Sequence, residues 1–124
     1  MQRIISDWAP DAIGPYIHAT QSNNLVFTSG QIGLDPKTNK LVEGISNQSE
    51  QVMDNLASIL ETADSDLDHV LKATVYLSNM DNFQVFNEVY QTYFNDSYPA
   101  RTAIEISKLP MDALIEIEMV AEVK

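Results

Sequence analysis

The chain contains no cysteine in its 124 residues, which excludes disulfides, thiolate metal ligation and a cysteine nucleophile. Basic residues are scarce. Seven Lys and Arg stand against 18 Asp and Glu, for a formal net charge of −11, and only Arg3 and Arg101 are arginines. So acidic a surface repels phosphate backbones, which argues against nucleic-acid binding. The same field makes any buried cation that receives an anionic small molecule more consequential. No apolar run is long enough to span a membrane, and the start, MQRIISDWAP, lacks the apolar stretch of a signal peptide. A cytoplasmic location is the expectation. The four glycines form neither a phosphate-cradling loop nor a dinucleotide fingerprint. His18 and His69 stand alone, without the paired spacing of a zinc site, and read as a strand residue and a loop residue. Neither a metal nor a cofactor is expected.

What remains is an ordinary globular composition, 44% hydrophobic and 20% charged. A single domain spanning residues 1–124 is the natural size for such a chain. Residues 16–20 and 25–29 read as strands around the polar turn QSNN, and GLDPKTNK at 33–40 reads as a loop opened by Asp-Pro. From 46 to 63, Val52, Leu56, Ile59, Leu60 and Ala63 share one helical face, with Ser46 as N-cap. Alternation returns at 70–77, with Leu71, Ala73, Val75 and Leu77 on one side. A second helix is predicted over 82–94, opened by an Asp81/Gln84 capping box and burying Phe86, Val89, Tyr90 and Tyr93. Strands near 101–107 and 114–123 close the chain, and 2–5 offers a short first strand.

Two helices cannot cover both faces of five or six strands, so they cover one. The fold class is α+β, in two layers. The uncovered face is expected to carry Tyr16, Val70, Tyr76 and Val120 beside Lys72, Arg101, Glu105 and Glu116. That mixture suits a subunit interface containing a wet pocket.

Arg101 is the first candidate for chemistry. Pro99 keeps Tyr98 out of a helix, so the chain enters the strand extended with the arginine closely positioned. A guanidinium placed there can grip a carboxylate through two parallel hydrogen bonds, or it can be a structural partner of Glu105 or Glu116. Glu116 is a candidate general base for a water, although spacing does not separate it from Glu118 or Glu122. Tyr16 and Ser29 sit in the compact runs IGPY and TSGQIG, where Gly30 and Gly33 allow close backbone approach or simply a tight turn. Ser29 has no evident His/Asp partnership, so nucleophilic-serine chemistry has little support. Asn87 lies mid-helix, where its amide needs a partner.

The runs AIGPY (12–16), FTSGQIG (27–33), FNEVYQTYF (86–94), YPARTAIEISKLP (98–110) and IEIE (115–118) resemble, in order and spacing, the RidA family, also called YjgF. The resemblance covers nearly the whole chain. It implies a chorismate-mutase-like fold, a mixed sheet with two helices on one face, assembled as a homotrimer with ligand clefts between subunits. The implied activity is hydrolysis of 2-imino acids, 2-iminobutanoate and 2-iminopropanoate, derived from enamines such as 2-aminoacrylate. The products are 2-oxo acids and ammonia. By position, Arg101 matches the carboxylate-binding arginine, Glu116 the residue that orients or activates water, and Tyr16, Ser29, Gly30 and Asn87 the pocket. Many members carry Ser-Cys after the arginine, where this chain has Thr102 and Ala103. Ala103 excludes any step needing that thiol but keeps the backbone contact through which the position is expected to act. The alternative implied by the resemblance is a regulatory, 2-oxo-acid-binding trimer without catalysis. A ribonuclease, also proposed within the family, conflicts with the charge.

Overall fold

The computed structural model describes all 124 residues. Nine strands and two helices follow one another as β1 (Gln2–Ile4), β2 (Ala19–Ser22), β3 (Leu25–Thr28), β4 (Gln31–Ile32), β5 (Leu34–Asp35), β6 (Lys40–Leu41), α1 (Ile45–Thr62), β7 (Val70–Leu77), α2 (Phe83–Gln91), β8 (Ala100–Glu105) and β9 (Ile115–Glu122). The main sheet runs β1-β2-β3-β9-β7-β8, with β4 also paired to β9, while β5 and β6 make a separate hairpin. Only β7 and β8 are parallel, and α2 lies in the crossover between them. The expected two-layer α+β architecture is present. No helix is long and apolar enough to cross a membrane.

The core forms where the inward residues of β9, Ile115, Ile117, Met119 and Ala121, meet Val52, Met53, Leu56, Ile59 and Leu60 of α1 and Phe86 of α2. Each large apolar side chain sealed there contributes roughly 1.5–3 kcal/mol. The opposite sheet face has no helix. Phe27, Val120, Tyr76 and Ile104 lie on it, half-buried or exposed, among Lys72, Thr74, Glu116 and Glu118.

Local departures from the sequence reading have identifiable causes. β2 begins at Ala19, leaving Tyr16 outside the sheet, and its hairpin turn shrinks to Asn23-Asn24, with Asn23 in the left-handed region at φ 54°. The 33–40 segment is not an open loop, because it contains the β5–β6 hairpin. Helix α1 starts on Gly44 at φ 85°, and Ser46 sits inside the first turn without capping it. Gln48 ties this end down: its amide donates to the Val42 carbonyl at 3.0 Å and accepts from the Leu114 N–H at 2.8 Å. The Asp81/Gln84 capping box is absent. Asn79 instead accepts from the Asp81 N–H at 2.9 Å and opens a 3₁₀ turn that leads into α2, which ends at Gln91.

Two face assignments also change. A bulge between Val70 and Lys72 exchanges the first residues of β7, so Val70 is 8% exposed and Leu71 is 44% exposed. In β8, pairing of Ala73 with Arg101, Val75 with Ala103 and Leu77 with Glu105 places Arg101 and Glu105 on the helix side. They are therefore not on the open face.

Gly33 is required by packing. A Cβ there would lie 2.9 Å from Gln48 Cα and 3.1 Å from its carbonyl oxygen, so α1 itself blocks any side chain. Gly33→Ala is expected to lower unfolding free energy by roughly 1–3 kcal/mol, the usual range for overpacking. Urea denaturation checks this, and an unchanged midpoint would refute it.

Candidate functional site

The site residues expected from sequence fall into two clefts. The first, about 440 Å³, holds Tyr16, Ser29, Gly30 and Glu116, together with Asp11 and Gln31 and an apolar lining that includes Ile13, Ile32, Leu34 and Met111. Its N-terminal wall is pinned by His18. That buried imidazole accepts from the Ser6 N–H at 2.9 Å through Nδ1 and reaches the Pro10 carbonyl at 2.7 Å through Nε2. Both contacts are satisfied by the neutral tautomer with the proton on Nε2. His18 thus holds the arm, and it is not a metal ligand. His69 pairs with Asp66 at 2.6 Å, well inside hydrogen-bond range.

Ser29 is tied to the same arm. Its N–H donates to the His18 carbonyl at 2.9 Å, and its hydroxyl donates to the Ile17 carbonyl at 2.6 Å. With its proton committed to a carbonyl, this hydroxyl offers a ligand its lone pairs. Tyr16 accepts from the Ile13 N–H at 3.4 Å, closing the arm into a loop around Gly14, whose φ of 132° suits glycine.

Glu116 lies on the open face of β9, opposite Ile32 of β4. Its carboxyl fills the space where Gly30 lacks a side chain: a Cβ on Gly30 would come within 2.9 Å of Glu116 Cδ and 3.1 Å of Cγ. Gly30 has an ordinary negative-side backbone. It is needed for close approach and not for a turn. Burial, with the neighbouring Glu118 carboxylate second, raises the Glu116 pKa above the usual glutamate value. Glu118 is itself engaged, accepting from the Tyr76 hydroxyl at 2.5 Å.

The second cleft, about 560 Å³, is lined by Arg101, Asn87, Tyr90, Gln91, Tyr98 and Pro99. Strand β8 lies at the sheet edge, and its pairing with β7 aims Arg101 under α2. Arg101 Nη1 donates to Asn87 Oδ1 at 2.8 Å. Its guanidinium carbon lies 5.5, 5.4 and 4.9 Å from the ring centroids of Phe83, Phe86 and Tyr90. Such stacking contributes about 0.5–2 kcal/mol per ring, depending on desolvation. Burial pushes the Tyr90 phenol up to about 12 despite the nearby arginine, so the ring beneath the cation stays neutral.

Arg101 has no carboxylate partner. The ion pairs of the chain are His69–Asp66, Lys108–Asp112 and Lys124–Asp66. Glu105 instead accepts from the Met80 N–H at 2.7 Å, and Glu116 sits across the sheet. The structural-pair reading of Arg101 is thereby overturned. Its remaining N–H groups are free to grip an anion with bidentate geometry.

The fold therefore gathers Tyr16, Ser29, Gly30 and Glu116 in one cleft and Arg101 with Asn87 in the other. Ala103 packs against the core and lines neither of them. Sequence reasoning missed Asp11, Gln31, Tyr98, Ile13 and Met111 as lining residues. It also took Tyr90 as core alone. A signal for Tyr90 exists, because Phe83, Asn87 and Tyr90 recur at helical spacing and so share the face that meets Arg101.

A half-covered mixed sheet, with an arginine free of carboxylate partners at its edge and a glutamate cleft on its open face, defines an α+β protein. Residues 6–123 match the family model described as Endoribonuclease L-PSP. The chain is 50% identical to a RutC family protein of Pyrococcus horikoshii, over 95% of this chain and 94% of that one. It is 44% identical to the 2-iminobutanoate/2-iminopropanoate deaminase of Mus musculus, over 91% of this chain and 84% of the relative. The crystal structure of RidA from an Antarctic Psychrobacter aligns with a TM-score of 0.97 at 40% identity, covering 99% of this chain and 100% of that one. The chain belongs to this YjgF/RidA family, which includes proteins named as deaminases.

Because the Glu116 carboxyl end can swing where a helix backbone cannot, Gly30→Ala is expected to cost under about 1 kcal/mol of stability, at or below the low end for overpacking. It should expel Glu116 from the cleft and lower its pKa toward the ordinary value, since burial is what raises it. Carboxyl NMR titration reads this directly; an unaltered Glu116 pKa would refute the contact.

Proposed function

We propose that this protein is a cytoplasmic homotrimeric imine deaminase, hydrolysing 2-iminobutanoate and 2-iminopropanoate to the 2-oxo acids and ammonia. The observation that carries the reading is Arg101, a half-buried guanidinium without a carboxylate partner, held open by Asn87 and three aromatic rings. The name of the mouse relative supports the reaction class.

Arg101 and Glu116 project from opposite faces of one sheet, so one copy does not present both to one small molecule. Two copies can, if the Arg101 edge of one meets the Glu116 cleft of the next. The half-apolar open face supports such an assembly. In the joined cleft, Arg101 grips the substrate carboxylate and fixes the C=N carbon. Glu116 takes a proton from water as the water oxygen bonds to that carbon, and the imine nitrogen takes up a proton. In the resulting carbinolamine the Glu116 carboxylate takes the hydroxyl proton and a proton is delivered to the amine nitrogen, so that the C–N bond breaks with its electron pair leaving on nitrogen, and ammonia departs as the carbonyl forms. An imine carbon is already electrophilic, so orientation plus one base is sufficient chemistry. We set the ribonuclease reading aside because a chain of net charge −11 disfavours a polyanionic substrate.

Imine generated in situ by a pyridoxal-phosphate-dependent threonine dehydratase provides the test, followed through 2-oxobutanoate release. Arg101→Ala should lose about 30-fold or more in kcat/KM, since removing one partner of a charge-assisted pair costs roughly 2–5 kcal/mol. Glu116→Gln should likewise be impaired, and refolding the two variants together should recover part of the activity by reuniting an intact arginine with an intact glutamate. Binding of 2-oxobutanoate in calorimetry, with no acceleration by the wild type, would replace the enzyme by a binding trimer.

The pH profile supplies an independent check. Glu116 is active as the carboxylate and its pKa is raised. The rate should therefore fall as pH drops through a midpoint above the ordinary glutamate value of about 4.3. Glu118→Gln removes one of the two causes and should move that limb to lower pH. A limb unaffected by both Glu116→Gln and Glu118→Gln would remove Glu116 as the base.

A further inference from the structure

We infer that His18 is a proton-operated latch on the arm of residues 6–16. As the neutral imidazole it holds the arm closed, and as the imidazolium it lets the arm go. The device is independent of which small molecule the cleft takes.

His18 is 3% exposed, and both of its ring nitrogens are spent on the backbone of the arm. Nδ1 accepts from the Ser6 N–H at 2.9 Å, and Nε2 donates to the Pro10 carbonyl at 2.7 Å. Only the neutral ring can do both, because the cation carries a proton on each nitrogen and accepts at neither. Protonation sets Nδ1–H against the Ser6 N–H, two donors face to face in a space closed to water.

No neighbouring acid offsets the charge. The segments around His18 carry Asp7 and Asp11 on the arm, Arg3 on β1 and, on α1, Glu61 beside the Thr62 that bonds to Ser6; β2 and β3 carry no charged residue. All four charged side chains belong to exposed residues, and none bonds to the imidazole. Asp11 instead accepts from the Asn39 amide at 3.4 Å. Glu116, which lines the cleft with Pro10 and Asp11, is governed by burial and Glu118. A buried cation without a counter-charge is costly, so the imidazolium turns out to water and both arm contacts are lost. Its backbone can stay in place, since the His18 carbonyl still accepts from the Ser29 N–H at the head of β2.

The arm supplies Pro10, Asp11, Ile13 and Tyr16 to the Glu116 cleft, so its release dismantles one wall of that cleft. The core is spared, because the sheet pairing of β9 involves none of these residues. Histidine is the side chain that ordinarily changes charge between about pH 5 and 8, which makes the latch a pH-sensitive device.

The ligand-free protein provides the test, with Trp8 as a built-in label. It is the one tryptophan of the chain, and its N–H donates to the Ser6 hydroxyl at 3.3 Å. Imidazole ¹⁵N shifts follow the protonation of His18 as pH is lowered. At that same pH the exchange protection of the Ser6 amide should fall by about 10-fold or more, and the fluorescence anisotropy of Trp8 should drop. Amides of β9 should stay protected. His18→Gln keeps both contacts, with Oε1 as acceptor and Nε2 as donor, but takes up no proton. In it, Ser6 protection and Trp8 anisotropy should no longer change with pH. Constant Ser6 protection and Trp8 anisotropy through His18 protonation would overturn the latch. So would the same transition persisting in His18→Gln, or no protonation of His18 before β9 itself unfolds. The acid limb of the deaminase rate belongs to Glu116 alone in His18→Gln, so the two readings fail separately.

Discussion

The period-two alternation of a β-sheet governs what this chain can do. Ile115, Ile117, Met119 and Ala121 of β9 must face the helices to form the core, which sends Glu116 and Glu118 to the other side. Parallel pairing of β8 with β7 then locks Arg101 in phase with Ala73, on the helix side. Shifting β9 by one residue would put its apolar set into water. The side taken by Glu116 is thus a consequence of core burial, while the side taken by Arg101 follows from the parallel register of β8 on β7.

That separation gives the two clefts different electrostatic characters. Around Arg101 the partners are an amide oxygen and three aromatic faces, which hold a guanidinium in place without neutralising it. Around Glu116, Gly30 leaves room for the carboxyl, while burial first and the Glu118 carboxylate second favour the protonated form and so strengthen it as a base. Arg101 lacks a carboxylate partner even in a chain of charge −11, and the groups around its guanidinium are Asn87 and three aromatic rings. The proposed trimer makes use of this division by letting one copy supply the clamp and the next the base.

The two glycines of the TSGQIG run show how one motif can carry two separate constraints. Gly33 yields to the backbone of α1 and is structural, whereas Gly30 yields to the movable carboxyl of Glu116 and shapes a cleft. Sequence alone presents both as close-approach or turn positions. The distinction needs the identity of the atom on the other side, which comes from a residue 15 positions beyond Gly33 in one case and 86 beyond Gly30 in the other.

Patterning within single elements was enough to show the strand over 70–77, the α1 face from Val52 to Ala63 and the alternation of β9, because burial repeats with the period of the backbone itself. The order of residues in the family-like runs likewise marked Arg101, Glu116 and their companions. Tertiary structure alone decided which side of the sheet each would occupy: a bulge at Val70 and a parallel register at β8 shift a residue's face by one position, and neither leaves a trace in local composition. It also decided that Arg101 meets Asn87 and no acid, since partner choice depends on which chain segments burial brings together.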